Sequence, residues 1–443
     1  MPGRLSRRSL LAGSLALPLA GALAGCSSAG RRTSSGASGP ARITFWSALR
    51  GSQQVVDAFN RTQNRIRVDF QQLPTGAQGG YAKLSNAARA GNAPDVATIE
   101  YPQVPGFAID AVARDITALV SDRLRERLLP SAWGLTTFGG RVFTVPLDVE
   151  PMVMHYRTDL FAQYGLEVPR TWEEFAALAR TVRQQASPRR LAVFPTDGGQ
   201  QFAAYAWQAG ARWFDIGGGA WNVSLTDEPT RRVAEYWQRL LDEDLVFANA
   251  VDSKQFDAQV GQGLVLARLS GAWEAGAQMK VHPGQAGQWA IAPLPQWDTA
   301  HPVIGTHGGS TFAVTKDSVK PEAAMEFIEW QVAHPDALRA RLSSGTSSQY
   351  PAAPALVAVG GAAFDRSYYA GQDIYRLFNQ EAGKIRNGWI WGPRMTATLK
   401  VMQDGFARAS GGEGSLLDAV RTAQSATMPD LKALGLATIE HSG

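Results

Sequence analysis

Apolar and polar positions follow two periods along most of the chain. Residues 43–46, 66–70 and 96–99 are short apolar runs of strand type, and between them lie segments with helical spacing. Residues 53–60 place Val55, Val56 and Phe59 on one helical face, and residues 81–90 form a second helical segment. Strand, helix, strand, helix, strand predicts an α/β unit with a largely parallel sheet. In such a sheet, ligands sit beyond the carboxyl ends of the strands. That rule picks out the turn at 47–52, which contains Arg50, and Glu100 with Tyr101 after the third strand.

Further along, Thr171-Trp172-Glu173-Glu174 reads as a capping box opening a helix with Phe175, Leu178, Ala179 and Val182 on one face. Residues 191–194 form a strand that ends in a polar turn containing Asp197. Residues 202–213 are helical in pattern and aromatic, with Tyr205, Trp207 and Trp213. Asp227 caps a helix that turns Val233, Tyr236, Trp237, Leu240 and Leu241 inward. Residues 264–269 are a strand leading to Trp273 and Glu274. A glycine-rich crossing with Gly308, Gly309 and Ser310 enters another strand, and residues 321–332 are an amphipathic helix. Trp389 and Trp391 sit in a Gly- and Pro-flanked loop that reads as exposed.

One stretch breaks the alternation. In residues 140–161, two extended apolar segments flank Asp148 and Glu150, with Pro151 directly after. Proline fixes its own φ and biases the residue before it away from the helical region. Two readings remain open for this stiff crossing. It is either a hinge strand with Glu150 facing a cleft between two lobes, or a surface strand with solvated acids.

Length and composition narrow the class. A chain of 443 residues is long for one core, so two lobes are expected. The formal net charge is +4, but Arg4, Arg7 and Arg8 lie before Cys26, where there is no acid. With those three removed, 40 basic residues face 39 acidic ones, and no basic face argues for nucleic acid. Residues 1–26 read as an export signal: a basic start, a short apolar stretch, then Leu23-Ala24-Gly25-Cys26. The last four resemble the bacterial lipobox, which makes Cys26, the single cysteine, the lipidated first residue of a protein held on the outer face of the cytoplasmic membrane. The pair Arg7-Arg8 resembles a twin-arginine signal. Residues 27–40 read as a flexible tether.

The chemistry of enzymes is largely missing. Six His residues show no metal-ligand spacing, and neither phosphate-loop nor nucleophile-elbow motifs occur. No cofactor or metal is expected. Asp148 and Glu150 as a glycosidase pair would lie close together on one strand face, whereas glycosidases flank the scissile bond. What remains is aromatic and acidic: Trp46, Tyr101, Trp207, Trp273, Trp389 and Trp391 with Glu100, Asp148, Glu150, Asp197 and Glu274. Aromatic faces stack on sugar rings and carboxylates accept from paired hydroxyls. Each Trp has core packing as its alternative role. Trp273 and Trp391, flanked by Gly and polar residues, fit that alternative least.

The order of several short motifs resembles the family 1 extracellular solute-binding proteins of ABC importers, the group that includes maltose-binding protein, over about residues 41–435. The matching pieces are Phe45-Trp46, Gly91-Asn92-Ala93-Pro94-Asp95-Val96, Val145-Pro146-Leu147-Asp148-Val149-Glu150, His155-Tyr156-Arg157-Thr158-Asp159-Leu160-Phe161, Pro169-Arg170-Thr171-Trp172-Glu173-Glu174-Phe175, Ser270-Gly271-Ala272-Trp273 and Gly308-Gly309-Ser310. The resemblance implies two α/β lobes of the periplasmic-binding-protein type joined by about three crossings. Lobe one would be 41–149 with 307–348, and lobe two 150–306 with 349–443. It implies a monomer that captures a sugar, amino sugar or short oligosaccharide and delivers it to permease subunits. It also gives Glu150 a role on sugar hydroxyls and Trp273 a stacking role, although Ala272 stands where the family has Pro. A glycerophosphodiester is the alternative ligand, with Arg394 and the Gly308–Ser310 backbone on the phosphate. A surface glycosidase is the alternative of another class.

Overall fold

The computed structural model describes residues 39–441, so Cys26, the export signal and nearly all of the tether lie outside the described residues. Five strands form the larger sheet, in the order Ile66–Gln72, Ala41–Ser47, Val96–Glu100, Ser310–Val314, Val145–Pro146. The first three run parallel, while Ser310–Val314 runs antiparallel to both its neighbours. A second sheet has Met152–Arg157 at its centre, with Ala267–Gly271 and Trp289–Pro293 antiparallel on either side. The parallel pair Val193–Pro195 and Phe247–Asn249 lies apart from it. The α/β class is as expected, but the second sheet is antiparallel and the first mixed. The difference arises because Ser310–Val314 re-enters the first sheet antiparallel and Met152–Arg157 is flanked by two later strands that both run against it.

Local signals account for the helices. Ser52–Thr62 buries Val55, Val56 and Phe59, and Trp172–Gln185 starts at the capping box formed by Thr171 and Glu174. The Asp227 side chain accepts from the Thr230 amide at the start of Glu228–Asp242, which buries Val233, Tyr236, Trp237 and Leu240. Pro321–Ala333 and Pro335–Leu342 follow the returning strand, and the second of these packs on Ser52–Thr62.

Three segments pass between the two sheets, and they are bonded to one another. The segment 147–152 lies in the middle. On one side Met152 N–H donates to Gly305, His307 N–H to the Glu150 carbonyl, and Leu147 N–H to Ser310. On the other side Val149 N–H donates to Tyr350, and Ala352 N–H to Leu147. Buried backbone needs such partners. The Asp148–Glu150 stretch is therefore the central crossing of three, not a surface strand.

Candidate functional site

The middle crossing carries two buried carboxylates. Asp148 lies against the start of Ser310–Val314, where its Oδ1 accepts from the Ser310 amide at 2.6 Å. Loss of water pushes its carboxyl up to about 7; the Ser310 N–H and the Arg341 guanidinium pull the other way, and Glu100 adds to the rise. Glu150 is 2 % exposed, and its Oε2 has no hydrogen-bond partner. Burial first, then the charge of Asp148, raises its carboxyl well above the ordinary range, against the backbone of Trp273, the charge of Arg50 and the backbone of Tyr350.

Around Glu150 the chain approaches itself closely. Trp273 is half-buried, and its Nε1 donates to the His307 carbonyl at 2.9 Å. Gly308 has φ +90°, and a Cβ there would lie 3.0 Å from Trp273 Nε1 and 4.0 Å from Glu150 Cγ. At Gly309, with φ +102°, a Cβ would meet the Tyr101 ring at 2.7 Å. Only glycine fits this path without strain. Arg50 Nη2 donates to the Trp273 carbonyl at 3.0 Å, so the turn after the first strand reaches the end of Ala267–Gly271. Thus Arg50, Glu150, Trp273 and the Gly308–Ser310 backbone form one group.

A second group lies at the carboxyl ends of the parallel strands. A half-open pocket of about 380 Å³, solvent included, is lined by Ala48, Leu49, Leu73, Pro74, Gly76, Gly80, Tyr81, Leu84, Thr98, Glu100 and Ser310. Glu100 is half-buried and accepts from Gln200 Nε2 at 3.2 Å. Ser310 belongs to both groups. Trp46 is half-buried with Lys83 Nζ 5.1 Å from its ring centroid, so a cation already covers one ring face.

Several expected contact residues prove to be internal. Trp207, Trp389 and Trp391 are 2 %, 3 % and 4 % exposed. The rings of Trp207 and Trp389 stack at 5.1 Å, Trp391 packs edge-on against Trp389, and Trp207 Nε1 donates to the Arg386 carbonyl. Glycine next to Trp391 signalled close packing rather than exposure, since a Cβ on Gly392 would strike the Phe214 ring at 2.4 Å. Tyr101 is buried, with its hydroxyl donating to the Asp148 carbonyl at 2.8 Å, so it braces the crossing. Asp197 caps a turn by accepting from the amides of Val251 and Asp252 at 2.9 and 3.0 Å. Glu274 is buried against Arg268 at 2.6 Å. Arg394 forks onto Asp110 at 2.8 and 2.9 Å, so its charge is already paired with a carboxylate.

Arg341 was missed. It is 3 % exposed, donates from Nη1 to the Arg50 carbonyl at 3.1 Å, and is lowered to about 10 by burial, with Asp148 opposing. Nothing local marks its place in the site, because Asp148 and Arg50 lie nearly 200 or more residues away in the chain. Tyr81 and Gln200 were also missed: both sit in ordinary helical patterns and only the fold brings them to Glu100. Among the described residues, no group of three or more His, Cys, Asp or Glu comes together to hold a metal.

Two α/β lobes with three bonded crossings and a buried carboxylate between them define a two-lobed binding protein. The family described as bacterial extracellular solute-binding protein matches residues 47–337, and the chain belongs to it. It is a binding protein and not an enzyme. Among curated relatives, the arabinooligosaccharide-binding protein of Bacillus subtilis is 23% identical over 69% of this chain and 72% of its own length. The lactose-binding protein of Rhizobium radiobacter is 26% identical over 44% and 46%. In structure, the chain is similar to the galacto-N-biose/lacto-N-biose I-binding protein of Bifidobacterium longum, solved with lacto-N-biose, at TM-score 0.81 and 25% identity, covering 90% of this chain and 99% of that one. It is also similar to a binding protein of B. animalis subsp. lactis solved with beta-1,6-galactobiose, at TM-score 0.79 and 26% identity over 90% and 99%.

Proposed function

We propose that this chain is the sugar-capturing lipoprotein of an ABC importer. It takes a sugar or short oligosaccharide between its lobes and hands it to permease subunits. Lobe one comprises 41–149 and 307–348, and lobe two 150–306 and 349–443. Ligand shifts an existing equilibrium toward the closed form. The observation that carries the reading is Glu150 Oε2, buried beside Trp273 and lacking a donor. A buried polar atom left unpaired is expensive, and a sugar hydroxyl, which both donates and accepts, is the partner it lacks. The names of the relatives support the same class of ligand.

In this reading Glu150, Arg50 and the Gly308–Ser310 backbone orient hydroxyls, Trp273 and Trp46 offer ring faces, and Glu100 bonds a hydroxyl from the first lobe. Asp148 tunes Glu150 rather than touching ligand. The chain works as a monomer, anchored through Cys26 after export; the paired arginines Arg7-Arg8 favour the twin-arginine route.

Thermal unfolding against mono- and disaccharides, amino sugars and glycerophosphodiesters tests this. At a hundredfold excess over Kd, a ligand of the native state adds about 2.7 kcal/mol. A rise in melting temperature with a saccharide, lost in Glu150→Gln and Trp273→Ala, is the expected result. A rise only with glycerophosphodiesters overturns the sugar assignment.

A further inference from the structure

Trp273 opens the helix Glu274–Val281, with φ −59° and ψ −22°. Successive residues in that conformation point about 100° apart, so the direction of Glu274 constrains that of Trp273. Glu274 turns inward. Its Oε1 meets Arg268 Nη1 at 2.6 Å, and the two side chains are 2 % and 14 % exposed. Arg268 is itself held against Phe256, with its guanidinium 4.6 Å from the ring centroid. Burial raises the Glu274 carboxyl, and the charges of Arg268 and then Arg50 oppose the rise.

The indole of Trp273 lies against the crossing instead. Its Nε1 donates to the His307 carbonyl at 2.9 Å, and its ring meets the His307 ring edge-on at 5.5 Å. Ser270, two residues after Arg268 and so on the same face of the strand, has its Oγ 3.3 Å from His307 Nδ1. One hydroxyl clips the backbone on either side of the Trp273–Glu274 pair. Ser348 Oγ donates to the Ala272 carbonyl at 2.7 Å and accepts from the Gly276 amide at 2.8 Å. Ser348 thus holds the main chain and His307 the ring, while the buried charge of Glu274 depends on Arg268. A buried carboxylate that loses its cation is strongly destabilised where it stands. Its relief is to swing out to water, which would turn Trp273 off His307 and away from Glu150.

We propose that Arg268 is a positioning residue for sugar binding: by holding Glu274 inside, it sets the ring of Trp273 beside Glu150. The role in binding rests on the sugar reading above, whereas the placement of the ring is a property of the free protein. Arg268 acts through Glu274 and does not touch the ligand.

Fluorine spectra of protein carrying fluorinated tryptophan read the ring directly, with Trp273→Phe identifying its line. The variants are Arg268→Met, the milder Arg268→Gln in case the first does not fold, and the paired Arg268→Met/Glu274→Leu. Exchanging a buried ion pair for apolar side chains of similar size is often neutral for stability, so the paired variant leaves nothing to draw residue 274 outward. In the free protein the Trp273 line is expected to shift or broaden in the single variants and to return toward its wild-type position in the paired one. A Trp273 line unmoved in both single variants overturns the proposal, as does one that stays displaced in the paired variant. Calorimetric titration with gluco- and galacto-disaccharides then compares Arg268→Met, or Arg268→Gln in its place, in the wild-type and Trp273→Phe backgrounds. Affinity is expected to fall about tenfold in the first and less than about twofold in the second, because residues that act through one ring are not additive. Equal losses in the two backgrounds, or no loss in either, overturn the proposal and leave the sugar reading intact. Absence of saccharide binding by the wild type overturns the sugar reading and the role in binding with it, and the fluorine line alone then decides whether Arg268 places the ring.

Discussion

Raising the pH above about 6.5 is expected to weaken the ligand-free fold, and Glu150→Gln to remove most of that dependence. The reasoning starts from two carboxyls taken out of water on one crossing. In the unfolded chain Asp and Glu release their protons near about 3.9 and 4.3. In the fold, burial raises Asp148 to about 7 and raises Glu150 well above its ordinary value. The native state therefore holds protons that the unfolded state has lost, so stability falls as pH rises through that interval. The slope is about 1.4 kcal/mol per pH unit for each carboxyl still protonated.

Two buried histidines act in the opposite sense. Burial lowers His155 to about 3 and His307 to about 4, with Arg268 adding to both. Unfolded histidine binds its proton near about 6.5, so below that pH the unfolded state holds the extra protons and stability rises with pH. Between about pH 4.5 and 6.5 the two effects oppose one another, with His282 lowered on one side and Glu274 and Glu381 raised on the other. Above that window the carboxyl effect dominates, and Glu150, raised well above its ordinary value by burial and by Asp148, is expected to carry much of it. Melting temperature measured in half-unit steps from pH 5 to 9 should show a decline above about 6.5. On a chain of this size, each kcal/mol corresponds to roughly 2 °C or less. A wild-type profile that stays flat or rises from pH 6.5 to 8.5 would refute the argument, as would a decline that survives in Glu150→Gln.

Two substitutions separate packing from recognition. Trp389→Ala should lower stability by about 3–5 kcal/mol in denaturant unfolding, because the ring is buried between Trp207 and Trp391; the variant should keep the wild-type ranking of ligands, and a changed ranking would return this Trp to the site. Gly309→Ala should cost about 1–3 kcal/mol, since φ is +102° and the new methyl meets the Tyr101 ring at 2.7 Å; thermal unfolding indistinguishable from wild type would show that the crossing can shift.

Elements whose cause is local were legible in the sequence. The capping box at Thr171, the apolar face at Val55, Val56 and Phe59, and the proline-stiffened crossing at Asp148–Glu150 each depend on neighbours within a few residues. Strand direction was not legible after Glu150, because Met152–Arg157 finds its partners more than 100 residues later, at 267–271 and 289–293. The same limit explains the aromatic residues. Glycine around Trp391 marks either an exposed loop or a ring packed against bare backbone, and only the position of Phe214 decides between them.

For the acids, the deciding quantity is how many donors the fold itself supplies. Asp197 receives two backbone amides, Asp148 receives one and faces Arg341, and Glu274 receives Arg268. Those donors come from elements 50 or more residues away for Asp197 and 160 or more for Asp148, so no spacing rule could have ranked these carboxylates. Glu150 differs by what it lacks: enclosed by the crossings and by Trp273, it keeps one oxygen without a donor. Burial makes such a vacancy costly, and its position between the lobes makes it reachable when they part. On the proposed function, a ligand hydroxyl delivered there would stabilise the closed arrangement specifically, which is the differential interaction a ligand needs in order to move the equilibrium.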